Sequence, residues 1–498
     1  MKRFIAVILT AALALGFGGA GAPAEAGVNP AGEPASDPEQ GYIFKINETA
    51  AESGCLEDAL QEDAAEPVYA PEGLYATEDL TVIRELTASG EIEYWEPNAT
   101  VTLFEEDGLS GVVGETSGST DGWVRKMLGY SYAREQGITG KGVRIGIIDS
   151  GLAEEYAAFT DAVIETGCNY LEDAGSEMRA NTEDTYGHGT AVCSIITSRD
   201  YGLAPEVTVI PLKCFDSKSD GTIAGISEAV YEAVDVYHCD IINMSLGVSA
   251  DYSTLAEAVE YARGKGVTVV AVAGNLPFGM TSTGQDSAYY PGAYESVIGV
   301  GAVDYKKAIW SRSVQNENVN LAAPGKDVEK YNISTHRFDT GSGTSYATPA
   351  VTAAVALALS EDPSLTPERI DYLLKDTAED LGEEGCDNVF GHGLLNLGLF
   401  LTEALGDEGR PVVSEYNGKT CLSCWFGGAS EEHLDLLSFY AGDGRLIEAW
   451  FADPDAGMLN NVEETPGGAA LPENGRCCSM RLDPQNWMPL AEAKNASM

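Results

Sequence analysis

The stretch Val143-Arg144-Ile145-Gly146-Ile147-Ile148-Asp149-Ser150-Gly151 is an apolar run that ends in an aspartate and a glycine. Such a run is typical of a strand that is buried on both faces of a parallel sheet, where polar and apolar residues no longer alternate. Four mostly apolar runs follow it along the chain, at Val207–Leu212, Ile241–Leu246, Val267–Val272 and Val297–Val303. The sequence therefore predicts a mostly parallel sheet.

Segments with helical spacing lie between and after these runs. Thr222–Tyr237 and Ser253–Lys265 contain good helix formers, and Thr366–Thr377 opens with the helix-start signal Thr-Pro-Glu. Ser345–Ser360 is rich in alanine and valine throughout, which predicts a buried central helix. Because strands and helices alternate, we expect the α/β class with a doubly wound sheet.

The composition limits the classes of partner. The chain of 498 residues has 29 Lys and Arg against 78 Asp and Glu, which gives a formal net charge of −49. This excess of acid argues against a nucleic-acid partner, because phosphates are bound by clustered Lys and Arg. It also argues against docking on an anionic membrane surface. We favour a soluble, self-repelling surface suited to an extracellular fluid, with cation-binding sites or a salty habitat as the alternative.

Residues 1–26 have the features of a secretory signal peptide. Lys2 and Arg3 precede the apolar run Phe4–Phe17, which is long enough for the core of a signal and short for a membrane span. Ala24-Glu25-Ala26 fits the small-residue cleavage rule. We therefore expect removal after about Ala26 and a secreted, extracellular protein without a later membrane span; an uncleaved anchor is the alternative.

The rest of the chain divides by composition. In residues 27–104, Gly41–Ile46 and Ile92–Asn98 predict strands of a small α+β domain, the second ending at Pro97. Residues 105–122 are rich in Gly, Ser, Thr and acids and predict a linker.

The α/β domain is then expected over residues 123–404, followed by a C-terminal module of unknown role at 405–498. This module contains one strand-like run, Leu446–Phe451, and we expect a small β-rich tail.

The ten cysteines fall into different settings. Cys193, Cys214 and Cys239 lie inside or beside apolar runs, so we interpret them as small buried hydrophobic residues. The tail contains Cys421-x-x-Cys424 and Cys477-Cys478. In an exported chain with this irregular spacing we favour disulfides or free thiols over a zinc site.

Four local motifs stand in a fixed order along the chain. Ile145–Gly151 places Asp149 at the carboxyl end of a predicted strand, where functional groups gather in open α/β sheets. The other three motifs are Gly187-His188-Gly189-Thr190 at the start of a helical segment, Ala271–Asn275 at the end of a strand, and Gly343–Pro349 with Ser345 at the start of the buried helix.

These residue types belong together chemically. A serine hydroxyl is a weak nucleophile, so an imidazole must take its proton as it attacks. The imidazole needs a carboxylate on its other nitrogen, which fixes the tautomer and stabilises the imidazolium. The tetrahedral oxyanion needs preorganised donors, which the Asn275 amide and the Ser345 N–H can supply. The N-terminus of the helix adds a partial positive charge at Ser345.

In type and order, the motifs resemble those of the subtilisin-like serine proteases, or subtilases, over roughly residues 123–404. The resemblance implies a hydrolase that cuts peptide bonds with an Asp149–His188–Ser345 triad and an Asn275 oxyanion donor. It implies that the main chain at Ser245, Leu246 and Gly247 pairs with an extended substrate. It also implies that the chemistry needs no cofactor.

Residues 27–104 resemble the family's inhibitory prodomain. This resemblance implies a zymogen in which the prodomain acts as an intramolecular inhibitor and chaperone. Its last strand would run from Tyr94 to Phe104 and leave its tail in the active site, with self-cleavage near Phe104. The alternative is an ordinary N-terminal domain.

The sequence departs from the family pattern at two places. The stretch His188–Pro205 is short where relatives often hold a structural calcium, and Ser198–Gly202 offers one carboxylate, so that site is not supported. The acidic pairs Glu172-Asp173 and Glu183-Asp184 stay open as calcium ligands. Tyr289 stands where many relatives have glycine in the floor of the substrate's S1 pocket, which predicts small P1 residues. This expectation conflicts with cleavage after Phe104, and the linker downstream is the other candidate region.

Two other functions fit the motifs less well than an endopeptidase. A pseudoenzyme that only binds peptides would lack a triad or oxyanion residue, and none is missing here. An esterase or lipase of the α/β-hydrolase type needs Gly-x-Ser-x-Gly with the serine first, whereas the serine comes last in this chain.

Overall fold

The computed structural model describes residues 40–47, 64–104 and 122–406, a few residues near position 60, Leu471, and the strands of the C-terminal part. The expected signal peptide at 1–26 and the linker residues 105–121 lie outside the described residues. Among the described residues, no helix has the length and apolar character needed to cross a membrane.

The N-terminal part, residues 40–104, contains a four-stranded antiparallel sheet in the order β2-β3-β1-β4 and a helix, Leu80–Ser89, before the last of these strands. Its elements are β1 Tyr42–Ile46, β2 Glu66–Tyr69, β3 Leu74–Thr77, α1 Leu80–Ser89, β4 Ile92–Pro97 and β5 Thr100–Thr102. Asp79 caps α1 by accepting the Thr81 N–H at 2.7 Å, and Gly90 ends it with a φ of 77°. Both strands predicted from the sequence, β1 and β4, are confirmed.

The central part, residues 122–406, is built on a parallel sheet in the order β14-β13-β12-β11-β6-β9-β7, with β8 also beside β9. Its strands are β6 Arg144–Asp149, β7 Val163–Ile164, β8 Cys168–Asn169, β9 Thr208–Lys213, β10 Asp220–Thr222, β11 Ile241–Met244, β12 Thr268–Val272, β13 Ile298–Val303, β14 Leu321–Pro324, β15 Val328–Asn332 and β16 Arg337–Gly341. The short strand β10 and the hairpin β15–β16 lie outside this sheet. All five predicted apolar runs form strands of it.

Helices cover both faces of this sheet. They are α2 Trp123–Met127, α3 Ser131–Gln136, α4 His188–Thr197, α5 Ile223–Asp235, α6 Ser253–Gly264, α7 Thr344–Glu361, α8 Pro367–Asp376 and α9 Leu397–Ala404. One apolar cluster joins α4 and α7 to the sheet, and a second joins α5 and α6 to it. The predicted α/β fold with a doubly wound, mostly parallel sheet is confirmed.

The expected strand from Tyr94 to Phe104 is wrong as a single element. The strand β4 ends at Pro97, whose missing N–H cannot continue a ladder. The chain turns at Asn98, whose N–H donates to the Gly41 carbonyl and whose side-chain oxygen accepts the Ala224 N–H. After this turn β5 pairs antiparallel with β10, so the chain passes from the N-terminal part onto the central part.

The N-terminal part packs on α5 and α6. The Glu96 carboxylate accepts the N–H groups of Ser253 and Thr254 at 3.0 and 2.9 Å, at the start of α6. Lys45 forms an ion pair with Glu257 at 2.7 Å. The Glu96 carboxylate thus lies at the partial positive charge of the helix N-terminus.

The C-terminal part has seven described strands, of which only β20 was predicted. They are β17 Pro411–Tyr416, β18 Lys419–Trp425, β19 Leu434–Tyr440, β20 Leu446–Phe451, β21 Met458–Val462, β22 Arg476–Leu482 and β23 Lys494–Ser497. They form two antiparallel sheets, β17-β18-β21 and β20-β19-β22-β23. Cys421 and Cys477 are buried, and the pairing of the tail cysteines stays a prediction.

The C-terminal part docks on α3 and α9. The Ser131 hydroxyl donates to the Val413 carbonyl at 3.0 Å, and the Asn396 amide donates to the Ser423 hydroxyl at 2.9 Å. Gly398 lies so close to Val412 that a Cβ there would be 2.2 Å from a valine methyl. The β-rich tail therefore packs against a defined surface of the central part.

An acidic cavity of about 450 Å³ separates the N-terminal part from α5. Glu66 lies on one side of it, and Asp173, Arg179 and Glu228 lie on the other. Burial, followed by the charge of Asp173, raises the pKa of Glu66. Burial outweighs the ion pair of Glu228 with Arg179, at 2.8 Å, and raises the pKa of Glu228 to about 7.

We expect Glu228→Gln to weaken the pH dependence of unfolding. The folded chain holds the Glu228 proton to about pH 7, whereas the ordinary pKa is 4.5. Stability from this group is therefore fully present below about pH 4.5 and is lost as the pH rises towards 7. Melting temperatures from pH 4.5 to 8, in a Ser345→Ala background, should fall less steeply for Glu228→Gln than for the parent. The exposed Glu85→Gln is the control, and an equal slope in all three proteins would contradict the assignment.

Candidate active site

Asp149 is the last residue of β6, near the middle of the parallel sheet, and it is fully buried. Its carboxylate accepts the Ser150 N–H at 2.7 Å. Both carboxylate oxygens also lie 2.8 and 2.9 Å from Nδ1 of His188. A buried carboxylate in this position makes Nδ1 the protonated nitrogen of a neutral imidazole.

His188 is the first residue of α4 and is 2% exposed. The helix begins after Gly187, which has a φ of 108° and therefore suits a residue without a side chain. The sequence motif Gly-His-Gly-Thr thus positions the imidazole directly over the end of β6.

Asp184 organises the turn before His188. One of its carboxylate oxygens accepts the Ser150 hydroxyl and the N–H groups of Tyr186 and Gly187. The other accepts the N–H and the hydroxyl of Thr190. Sequence reasoning considered Asp184 only as a calcium ligand, although an acid four residues before a helix-starting His is a detectable turn signal.

Ser345 is the second residue of α7 and is 3% exposed. Its hydroxyl donates to the Ser245 carbonyl at 3.3 Å. The next residue, Tyr346, has its ring centroid 6.1 Å from that of His188. The N-termini of α4 and α7 therefore meet at the carboxyl edge of the sheet.

Asn275 follows β12 and faces the start of α7. Its side-chain oxygen accepts the Thr344 N–H at 3.0 Å and the Thr344 hydroxyl at 2.7 Å. Because both donors occupy the oxygen, the orientation of the amide is fixed and its NH₂ group is left as the donor towards the site. The structure thus brings Asn275 into contact with Thr344, the residue before Ser345.

The segment Ser245, Leu246 and Gly247 follows β11, beside Ser345. Its next residue, Val248, exchanges two main-chain hydrogen bonds with Tyr290, at 2.9 and 2.8 Å. Phe104 lies against Gly247, where a Cβ would be 3.2 Å from the Phe104 ring.

Tyr289 forms a wall beside Gly247 and packs over Gly274. A Cβ at Gly274, which has a φ of 124°, would be 2.4 Å from the Tyr289 ring. The centroids of the Tyr289 and Phe104 rings are 5.2 Å apart in an edge-on arrangement. The space beside Tyr289 therefore accepts a phenylalanine ring, which does not fit the expectation of small residues only.

Lys213 is a site residue that sequence reasoning missed. It ends β9 opposite Asp149, is 6% exposed, and donates to the carbonyls of Ser150 and Phe215 at 2.5 and 2.9 Å. Burial lowers the pKa of Lys213, while the charges of Asp184 and Asp149 act in the opposite direction. In the sequence, Lys213 directly follows the apolar strand run Val207–Leu212, and this position could have identified it.

A second cavity, of about 440 Å³, is lined in part by His188. The hairpin β15–β16 contributes Lys330, Asn332 and Ile333 to its lining. Lys330 is paired with Asp339 at 3.1 Å.

Among the described residues, no group of three or more His, Cys, Asp or Glu side chains has an arrangement that could hold a metal ion. Cys193, Cys214 and Cys239 are buried free thiols, as predicted. Burial raises the pKa of Cys193 and of Cys239 to about 12. These thiols are therefore packing residues and not nucleophiles.

Residues 140–393, which are 254 of the 498 residues, match the family model described as the subtilase family. Subtilisin DY of Bacillus licheniformis is 34% identical over 262 residues, which cover 53% of this chain and 92% of that protein. The thermostable alkaline protease of Halalkalibacterium halodurans is 28% identical over 74% of this chain and 94% of its own length. The minor extracellular protease Epr of Bacillus subtilis is 30% identical over 64% of this chain, which spans only 48% of that longer protein.

Proposed function

Because the chain belongs to the subtilase family and is a serine-type endopeptidase, we propose that Asp149, His188 and Ser345 form its catalytic triad, with Asn275 as oxyanion donor. The observation that supports this most strongly is the buried pairing of His188 Nδ1 with Asp149, at 2.8 Å, beside the helix start that holds Ser345. Members of the family need no cofactor for this chemistry.

The Ser345 hydroxyl attacks the scissile carbonyl while His188 takes its proton, which requires that the hydroxyl leaves the Ser245 carbonyl. Asp149 holds the imidazole in the correct tautomer and stabilises the imidazolium that forms. The Asn275 NH₂ group and the Ser345 N–H stabilise the oxyanion. His188 then gives the proton to the leaving amine, and water hydrolyses the acyl-enzyme by the reverse sequence.

The substrate is a protein or peptide in an extended conformation. We propose that the main chain at Ser245, Leu246 and Gly247 pairs with it as an added strand. Tyr289 and Gly247 then border the pocket for the residue before the scissile bond, and the seating of Phe104 between them supports an aromatic or other large residue there.

The protein is made as a secreted zymogen, with residues 1–26 as its signal peptide and residues 27–104 as an inhibitory prodomain. Two features support the inhibitory role. Glu96 anchors this segment on the N-terminus of α6, and its end, Phe104, occupies the pocket that a substrate would need.

We expect the mature enzyme to begin at Glu105, because Phe104 lies in the pocket for the residue before the cut. N-terminal sequencing of the protein recovered from the culture medium measures this directly. A Ser345→Ala variant should keep its prodomain attached. A mature N-terminus between residues 106 and 122 would contradict the Phe104 assignment and restore the preference for small residues.

Labelling with a fluorophosphonate tests the proposed function as a whole. The wild-type enzyme should take one label, on Ser345, and should hydrolyse peptide substrates. A correctly folded wild-type protein that takes no label and keeps its prodomain would instead be a peptide-binding pseudoenzyme, and the proposal would fail.

A further inference from the structure

Asn243 is a polar residue in the middle of the otherwise apolar strand β11. It is fully buried between Ile242 and Met244. A buried amide is costly unless its donors and acceptor are used. Asn243 uses both ends, because its oxygen accepts the Thr352 hydroxyl at 2.8 Å and its NH₂ group donates to the Ser245 hydroxyl at 3.1 Å.

The hydrogen bonds from Thr352 through Asn243 to Ser245 all donate in the same direction. The Asn243 oxygen faces Thr352, whose hydroxyl is therefore the donor, and the NH₂ group faces Ser245. The Ser245 hydroxyl therefore accepts from Asn243 and must direct its own proton elsewhere. It donates that proton to the Ser345 carbonyl at 3.0 Å.

The Ser345 carbonyl needs this donor because of Pro349. In a helix, the carbonyl of one residue accepts the N–H of the residue four positions later. Pro349 lies inside α7, four residues after Ser345, and has no N–H. The Ser245 hydroxyl replaces the bond that the proline removes, at the residue that holds the nucleophile.

We propose that Thr352 and Asn243 are positioning residues for Ser345, acting through the Ser245 hydroxyl; this inference rests on the proposed function. The three side chains form a buried relay, Thr352–Asn243–Ser245, that is fully shielded from water. The relay fixes the Ser345 carbonyl and thereby the direction of its N–H and its hydroxyl.

Loss of the Thr352 hydroxyl should reverse the relay. In Thr352→Val the Asn243 oxygen has no donor from α7, so the amide turns and accepts the Ser245 proton instead. The Ser345 carbonyl is then left without a donor, and the first turn of α7 loses its fixed geometry. The enzyme's main chain at Ser245, Leu246 and Gly247, which pairs with the substrate, is unchanged in this variant. We therefore expect Thr352→Val to lower kcat and to change KM little.

The test compares three variants in the full chain, after maturation. Thr352→Val should lower kcat about tenfold, the size that one hydrogen bond of ordinary net strength produces. Thr352→Ser keeps the hydroxyl and should restore most of kcat. Thr402→Val is the matched control, because its buried hydroxyl bonds within its own helix, to Leu399 at 2.8 Å, outside the site.

The readouts are kcat and KM for a peptide substrate, the rate of fluorophosphonate labelling, and the melting temperature. The proposal predicts that Thr352→Val and Thr402→Val lose similar stability and that only Thr352→Val loses kcat and labelling rate. Wild-type kcat in Thr352→Val, or no recovery in Thr352→Ser, would overturn the relay. A wild-type enzyme that takes no label would overturn the proposed function instead.

Discussion

Replacement of Ser345 by alanine is expected to lower kcat by about 10⁶-fold, the magnitude established for loss of the nucleophile in a subtilisin. Without the hydroxyl, no acyl-enzyme forms, and His188 has no serine proton to accept. The oxyanion donors that remain can then stabilise only the direct attack of water on the peptide bond. Initial rates on a peptide substrate measure the loss, once the prodomain that Ser345→Ala retains has been removed by an added protease and that protease has been inactivated.

Ser342→Ala is the matched control for this experiment. Ser342 lies three residues before Ser345, is 6% exposed, and its hydroxyl oxygen accepts the Asp327 N–H at 3.0 Å. Ser342→Ala removes a nearby buried hydroxyl and leaves Asp149, His188 and Ser345 unchanged. Full labelling of Ser342→Ala and none of Ser345→Ala is the expected pair of results, whereas persistent labelling of Ser345→Ala would show a different nucleophile.

Asn275→Ala should lower kcat by about 10²–10³-fold with little change in KM, again a size established for the equivalent amide in a subtilisin. The physical reason is that the oxyanion exists only in the transition state, so the lost donor does not affect substrate binding in the ground state. The Thr344 N–H and hydroxyl also lose their acceptor, which adds to the cost.

Steady-state kinetics on one peptide substrate separate the two parameters. Asn320→Ala is a suitable control, because the Asn320 side chain also holds a main-chain N–H, that of Gly299, at 2.7 Å, but on the far strands of the sheet. A large rise in KM with unchanged kcat in Asn275→Ala would assign Asn275 to substrate binding instead.

The parallel sheet and the residues at its carboxyl edge were predictable from sequence because apolar runs buried on both faces have a strong local signature. Val267–Val272, for example, differs from the observed β12 by one residue at its start. The motifs that hold Asp149, His188 and Ser345 were also visible, since each couples a glycine-rich turn to the end or start of an element.

Other features depend on contacts that a local pattern does not contain. The break of the predicted Tyr94–Phe104 strand is completed by β10, a strand of the central part that pairs with β5 after Pro97 has ended β4. Six described strands of the C-terminal part were missed, since polar residues such as Ser, Lys, Asn and Arg interrupt their apolar pattern. Lys213 and Asp184 gain their roles from neighbours in the folded protein, although both stand beside recognisable motifs.

The order of strands in the parallel sheet also has a consequence for the speed of folding. In the centre of the sheet Ile145 pairs with Ile241, and no tight hairpin joins any two of its neighbouring strands. Such pairings require closure of long loops before any hydrogen bond forms, so the central part should fold slowly by itself. The antiparallel sheet of the N-terminal part binds α5 and α6, and we propose that it acts as a template that shortens this slow search.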